Sequence, residues 1–275
     1  MKIKEIIASL KEADIENAEG EAYLIVEHLF NVSYAMARAD RDREYPENEL
    51  LSVIEQRKSH IPLQHIFGEW YFMGEKFYVS PHCLIPRPDT EILVEKAIKS
   101  IKKGVRIADL CTGSGCIGIS VLNNRADIDH LTLIDISEDA LNMAKKNAAL
   151  HKVTDRCEFV LADVTEDVLF GEYGAILSNP PYILKKDMDS LSKEVKNEPY
   201  IALCGGEDGL DIIRPIVLNS SRHLCDGGIL MIEFGYDQGD LMNSLLTEAI
   251  NNGLYSSYEI LRDYGGNVRA AYIVK

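Results

Sequence analysis

The sequence has no cysteine pair at C-x-x-C spacing, no apolar run of membrane length and no surplus of positive charge. Its six cysteines, at 83, 111, 116, 157, 204 and 225, are scattered. That excludes a zinc site or a disulfide framework and leaves free, buried thiols as the expectation. Lysine and arginine number 29 against 44 acidic residues, for a net charge of −15. Proteins that grip a nucleic-acid backbone carry the opposite balance, so no direct nucleic-acid partner is expected. The opening stretch MKIKEIIASLKEADIENAE is charged throughout and lacks the apolar centre of a secretion signal. Nowhere does an apolar run approach the ~20 residues of a membrane span. A soluble, reduced, cytoplasmic chain without a membrane partner is expected. The seven histidines are dispersed, and none is placed to act as a metal ligand or a base.

Apolar residues make up 46% of the 275 positions, enough for a large core in about two domains. Residues 1–66 show helical periodicity alone: Ile3, Ile6, Ile7 and Leu10 share one face, and Pro46 opens a further helical stretch. A small helical bundle is expected there. Residues 67–88 change character, with aromatic and β-branched residues around Gly74-Glu75, which reads as a β-hairpin linker. Trp70, Tyr71 and Phe72 are assigned to its core. From residue 89 to 275 the pattern is α/β. Strands are expected over Val105–Cys111, Leu131–Ile134, Cys157–Leu161, Ala175–Ser178, Ile229–Phe234 and Ala270–Val274. Helices are expected over Thr90–Ile101, Cys116–Asn123, Glu138–His151 and Leu210–Leu224. Such alternation means a mainly parallel sheet covered on both faces.

The first strand runs into IADLCTGSGCIGISVL, where Gly113, Gly115 and Gly118 stand at G-x-G-x-x-G spacing. Glycines there permit a tight turn and bring backbone N–H groups close to a ligand. Asp135 ends the next strand, in position to accept both ribose hydroxyls of an adenosine. The motif fits NAD or S-adenosylmethionine. Asp109, just before the glycines, separates them: it would repel a pyrophosphate but can bind an ammonium. Asp163 ends the third strand, where it can meet an adenine amino group beside the apolar Val164. Three acids at three successive strand ends favour the methyl donor.

The fourth strand ends on SNPPYIL. Two prolines cannot donate to a sheet, so the strand stops at Asn179 and the chain stiffens through Pro180 and Pro181. A planar NH2 is a poor nucleophile, and a site helps it by accepting both of its hydrogens. The Asn179 side-chain carbonyl and the Pro180 backbone carbonyl supply two acceptors, and Tyr182 supplies a ring to pack on the flat group. Such a clamp suits a flipped adenine or cytosine as well as a glutamine side chain.

The blocks LIPRPDTEILVE, ADLCTGSGCIGI, LIDIS, SNPPYI, NEPYIALCGGEDGL, EFGYDQG and DYGGNVR, in this order over nearly the whole chain, resemble the PrmC/HemK family. The resemblance implies a Rossmann-like, seven-stranded class I S-adenosylmethionine-dependent methyltransferase domain, preceded by a helical bundle and a hairpin linker. Its last strands, around 258–274, would form an antiparallel edge. It implies methylation of the Gly-Gly-Gln glutamine of class-one peptide chain release factors, with the bundle helping to recognise them; a monomer is expected. A ribosomal-protein glutamine is the alternative substrate, and a nucleic-acid amino group a more distant one. Carried over residue by residue, the cofactor loop is Cys111, Thr112, Gly113, Ser114 and Gly115, with Asp135 on the ribose and Asp163 and Val164 at the adenine. Asn179 faces cofactor and glutamine, and Asn179 to Tyr182 form the substrate clamp. Position 111 is Cys where the family usually has Gly, and Val164 replaces an aromatic found in some relatives. Arg87 and Glu91 either shape the entrance beside the linker or only start a helix.

Overall fold

The computed structural model describes residues 1–275, in two compact units. One unit is Met1–Gly68 together with Ser192–Asn197, and the other is Glu69–Leu191 together with Glu198–Lys275.

In the first unit, helices α1 (Ile3–Glu12), α2 (Ala18–Phe30), α3 (Tyr34–Ala39), α4 (Glu47–Lys58) and α5 (Leu63–Phe67) surround one core. The periodic residues read from the sequence are the buried ones, Ile3, Ile6 and Leu10 among them. The ends are set locally: Asn17 accepts the Gly20 N–H and Ser33 the Met36 N–H, as N-caps do. Asn31 closes α2 in the left-handed conformation. Arg57, on the inner face of α4, is buried and donates to Glu21 at 2.6 and 3.0 Å. It also pairs with Glu194, far along the chain, and Asn197 Nδ2 donates to the His60 carbonyl at 3.0 Å. These two contacts knit the short segment 192–197 into the helical unit.

The second unit begins with an antiparallel hairpin, β1 (Glu69–Phe72) and β2 (Glu75–Tyr78). Phe72 and Phe77 are its buried rings, whereas Tyr71 is 64% exposed. Tyr71 is therefore not core: alternate strand residues face opposite sides, and its side is the wet one. After a turn of 3-10 helix at Pro88–Thr90 come α6 (Glu91–Ser100), β3 (Arg106–Leu110), α7 (Cys116–Asn124), β4 (His130–Asp135), α8 (Glu138–Leu150), β5 (Cys157–Leu161) and β6 (Tyr173–Ser178). Then follow α9 (Ile213–Ser220), β7 (Leu224–Glu233), α10 (Gly239–Asn251), β8 (Ser257–Arg262) and β9 (Val268–Val274).

Seven strands form one sheet in the order β5-β4-β3-β6-β7-β9-β8. It is parallel through β7, and β9 runs antiparallel between β7 and β8. Strand residues alternate between two cores. Ile107, Leu131, Leu133 and Leu177 pack with α6, α7 and α8, while Ala108, Ile134, Ile176 and Ile232 pack with α9 and α10. Every residue of β6 is buried, as expected for a central parallel strand. Pairing Leu110 with both Ile134 and Ser178 sets the ends of β3, β4 and β6 level. Between β3 and β6 the strand order reverses, and ligands of open α/β sheets bind at that kind of crevice.

Two expectations are corrected. The helix assigned to Leu210–Leu224 is only α9, because β7 begins at Leu224 and its first part joins β6 through a register shift opposite Tyr173 and Ala175. Cys225-Asp226-Gly227-Gly228, which lies between the expected helix and the strand expected from Ile229, is an irregular part of this strand. The helices expected from the sequence also omit α10, whose buried face is Met242, Leu246 and Ala249. No helix is long and apolar enough to cross a membrane.

Candidate active site

The loop between β3 and α7 is built on left-handed backbone. Cys111, Gly113 and Gly115 have φ of 55°, 54° and 80°. Left-handed φ costs an L-residue with a side chain about 1–2 kcal/mol, so Cys111 sits where glycine is easiest. The glycines differ in what they allow. A Cβ on Gly115 would lie 2.8 Å from Ile119 Cδ1, and one on Gly118 would lie 2.8 Å from Leu131 Cδ1 and 3.0 Å from Asp109 Cβ. Gly118 thus lets α7 approach the sheet, the role of the last glycine in this motif.

Asp109 lies beneath the loop, fully buried. Its Oδ2 accepts the Thr112 hydroxyl at 2.7 Å and the Gly118 N–H at 3.0 Å, while Oδ1 has no partner in the protein. Burial pushes its carboxyl up to about 7, against these two donors. Asp135, at the end of β4, holds the loop from the other side. Its Oδ2 accepts the Gly113 N–H at 2.8 Å and its Oδ1 the Ser137 N–H at 2.9 Å. A carboxylate offers about four lone-pair positions, so acceptor capacity remains for a ligand. Burial raises the Asp135 carboxyl above the ordinary range.

A cavity opens above this loop at the level carboxyl ends of the strands. Its wall includes Cys111, Thr112, Gly113, Ser114, Asp135, Asp163, Val164, Asn179 and Pro181. Asp109, Gly115, Pro180 and Tyr182 stand outside that wall. Asp163 is fixed by its own turn, Oδ1 accepting the Thr165 N–H at 2.9 Å and hydroxyl at 2.7 Å. Two buried polar atoms on wall residues, Ser114 Oγ and Asn179 Oδ1, have no protein partner. Buried polar groups without partners are costly, so this wall suits a ligand that carries hydrogen-bonding groups. With the loop amides and Asp135, these residues fit an adenosine cofactor.

Asn179 is turned by Thr90: its Nδ2 donates to the Thr90 hydroxyl oxygen at 3.2 Å. Tyr182 points away from the cavity, its hydroxyl donating to Glu233 Oε1 at 3.2 Å. Burial, then the Glu233 charge, raises the phenol well above its usual range. The Tyr182 carbonyl accepts Gln238 Nε2 at 2.8 Å, and Gly205 and Gly209 pack on its backbone.

His82 to Arg87, Thr90, Ile201, Ala202 and Ile212 also line the wall, brought there by chain segments that only the fold unites. Arg87 and Glu91 prove to be different. Arg87 lines the cavity and pairs with the buried Glu198, whose other oxygen accepts the Ile85 N–H at 2.9 Å. Glu91 turns to the hairpin and accepts the Met73 N–H at 2.8 Å. Asn147 of α8 carries no signal in the sequence. Buried completely, it exchanges hydrogen bonds with the Tyr78 N–H (2.7 Å) and carbonyl (2.9 Å) and donates to the Ser114 carbonyl at 2.8 Å. A single asparagine on a helix reads as surface, and only the approach of hairpin and loop gives this one a purpose.

Known proteins resemble the chain over both units. The family model described as PrmC N-terminal domain matches residues 3–68, and Methyltransferase small domain matches residues 88–199. A release factor glutamine methyltransferase from Aquifex aeolicus is 33% identical over 97% of this chain and 93% of its own length. One from Nitratidesulfovibrio vulgaris is 37% identical over 94% and 88%. A ribosomal protein uL3 glutamine methyltransferase from Francisella tularensis is 36% identical, but over only 66% of this chain and 59% of its own. Among solved structures, a methyltransferase from Pyrococcus furiosus superposes with a TM-score of 0.55 at 19% identity, covering 74% of this chain and 89% of that one. That likeness speaks for the fold, a class I methyltransferase sheet.

Proposed function

The chain belongs to the family of release factor glutamine methyltransferases, and we propose that it methylates the side-chain amide nitrogen of the glutamine in the Gly-Gly-Gln motif of class-one release factors. The observation that carries this reading is Asn179 Oδ1, a buried carbonyl oxygen with no protein partner, on a residue of the wall shared with the glycine loop and Asp135. When bound, S-adenosyl-L-methionine supplies a methyl group on an electron-poor sulfonium sulfur. We assign Cys111 to Gly115 to its amino-acid part, Asp135 to its ribose hydroxyls, and Asp163 with Val164 to its adenine. Asp109 favours the ammonium group from beneath the loop.

An amide nitrogen has little free lone-pair density because it is shared with the carbonyl. Asn179 Oδ1 and the Pro180 carbonyl accept its two hydrogens, which orients the nitrogen and draws it toward pyramidal geometry. The two prolines hold these acceptors at a fixed separation. Positioning and hydrogen bonding thus ready the nucleophile without a strong base, and the proton that the nitrogen must lose once it is methylated would pass to solvent. We assign the recognition of the release factor body to the helical unit that precedes the catalytic sheet.

The test is methyl transfer from labelled S-adenosylmethionine to four acceptors: release factor, release factor with its Gly-Gly-Gln glutamine changed to alanine, ribosomal protein and DNA. Label on the unaltered release factor alone is expected, and Asn179→Ala should abolish it. Label on the ribosomal protein or on DNA instead would overturn the assignment.

A further inference from the structure

Two sequence blocks, NEPYIALCGGEDGL and EFGYDQG, close in the fold on Tyr182, the last residue of the Asn-Pro-Pro-Tyr stretch. The Tyr182 carbonyl accepts Gln238 Nε2 at 2.8 Å, and Gln238 Oε1 accepts the Gly235 N–H at 2.8 Å. Gln238 is buried. Its amide has one orientation available, because a carbonyl can only accept and a backbone N–H can only donate. At the far end of the side chain, the Tyr182 hydroxyl donates to Oε1 of the buried Glu233 at 3.2 Å. The ring itself packs on the core shared with α9 and α10 and stands outside the cavity wall. From the other block, Gly205 lies against the same stretch of backbone: a Cβ there would be 2.6 Å from Tyr182 Cα and 2.7 Å from the Pro181 carbonyl oxygen. Its N–H donates to the Ile183 carbonyl at 2.8 Å, and the Ile183 N–H donates to the Leu203 carbonyl at 2.9 Å.

The upstream end is also fixed. Ser178, the last residue of β6, is buried, pairs with Leu110 in the sheet and donates its hydroxyl to the Leu110 carbonyl at 2.8 Å. Asn179, Pro180 and Pro181 therefore form a short span between two anchors. Proline fixes its own φ, and the residue before a proline is confined as well. The span thus has few soft torsions with which to absorb a shift at either end. A displacement of Tyr182 passes on to Pro181 and Asn179, the two residues of the span that line the cavity.

We propose that Tyr182 and Gln238 are positioning residues that together form a strut holding the Asn-Pro-Pro span in its reactive geometry, and that Tyr182 does not touch the substrate. The proposal rests on the functional reading above, in which this span accepts the hydrogens of the substrate NH2. It replaces the expectation that the Tyr182 ring packs on that group. A ring stacked on the substrate acts through its face and belongs in the cavity wall, whereas a strut acts through its two ends.

The test compares wild type, Gln238→Met, Tyr182→Phe and the double variant in methyl transfer to release factor at saturating S-adenosylmethionine. Calorimetry reads cofactor affinity, and thermal melting reads stability. Gln238→Met keeps the length of the side chain and removes the donor to Tyr182; Tyr182→Phe keeps the ring and removes the hydroxyl contact. Each should lower kcat roughly 10- to 100-fold, the cost of a shift of about 1 Å. KM for release factor and cofactor affinity should stay within about twofold. The double variant should lose less than the product of the two single losses, because both act through one strut.

A stacked ring keeps its face in Tyr182→Phe, so wild-type kcat in that variant would overturn the proposal. Single losses that multiply in the double variant would overturn it too, since the two residues would then act separately. So would a raised KM with unchanged kcat, which would place the ring on the substrate, or a loss of cofactor affinity as large as the loss of kcat, which would mean general disruption. If Gln238→Met does not fold, Tyr182→Phe decides alone by its kcat, KM and cofactor affinity. A wild-type enzyme that ignores release factor would instead sink the functional reading itself.

Discussion

The Gly118 N–H points at Asp109 Oδ2 from 3.0 Å, on a helix whose first turn lies almost against the strand that bears the aspartate. The glycine permits the approach and the carboxylate fills the gap that it leaves. Gly118→Ala would set a Cβ 2.8 Å from Leu131 Cδ1, which is tighter than packed atoms sustain. We expect it to destabilise the protein by about 1–3 kcal/mol, the range for overpacking, and to weaken S-adenosylmethionine binding together with it. Urea denaturation and calorimetric titration with the cofactor would read both effects.

Gly209 tests the opposite end of the site. Its φ is 77°, and an added Cβ would meet the Tyr182 carbonyl oxygen at 2.4 Å. Backbone cannot swing aside as a flexible side chain can, so Gly209→Ala should displace the residues after Pro181. Transfer should fall by about 10²-fold while cofactor affinity, set on the other side of the crevice, stays within a small factor. Equal loss of both would show that the displacement spreads beyond the clamp.

The part of this site that could be read from sequence is the part that stands at the ends of strands. Gly113, Gly115, Asp135 and Asn179 sit at the ends of strands that announce themselves as apolar runs, so the level ends of β3, β4 and β6 follow from the alternation. Thr90, Asn147, Glu198 and Glu233 do their work across 89, 69, 113 and 51 residues of chain. Nothing local distinguishes them from a cap or a solvated acid. The blind spots in the fold have a similar origin. The start of β7 goes unmarked because Asp226, Gly227 and Gly228 are turn residues, and only pairing with Tyr173 makes strand of them.

Stability should run against pH in a defined direction. Asp109 and Glu233 are both held up to about 7, mainly by burial, above the ordinary carboxylate range near ~4. Between those values the folded chain keeps protons that the unfolded chain has released, so stability declines as pH rises through the window and is greatest at its acid end. Urea midpoints at about pH 5 and about pH 8 should differ in that sense for wild type. The difference should shrink in Asp109→Asn and in Glu233→Gln; an unchanged difference in both variants would refute this assignment.

Asn147 should behave as a structural keystone. Replacing it by leucine leaves the Tyr78 backbone groups and the Ser114 carbonyl without their buried partner. Each orphaned group costs about 1–3 kcal/mol. Hydrogen exchange at the Tyr78 amide, which donates to Asn147 in the intact protein, should accelerate more than exchange at Ile176 on β6, the middle strand of the sheet.

Arg57 is the buried cation of the helical unit, and Arg57→Ala leaves Glu21 without its partner in a mostly apolar setting. Breaking a buried pair from one side costs about 3–5 kcal/mol; Glu194 is 42% exposed, so water offsets part of its share. Thermal melting should show the loss, and Glu21→Gln with Arg57→Met together should recover some of it. No recovery in the double variant would mean that the pair contributes more than charge balance.

The same arginine has a history in time. Its second partner, Glu194, follows it by 137 residues, and a ribosome adding roughly 5–20 residues each second takes roughly 7–27 s to cover that interval. For that period the newborn helices have Glu21 but lack the segment that completes their unit. The helical unit is thus completed only after β6 and its Asn-Pro-Pro-Tyr turn have been made.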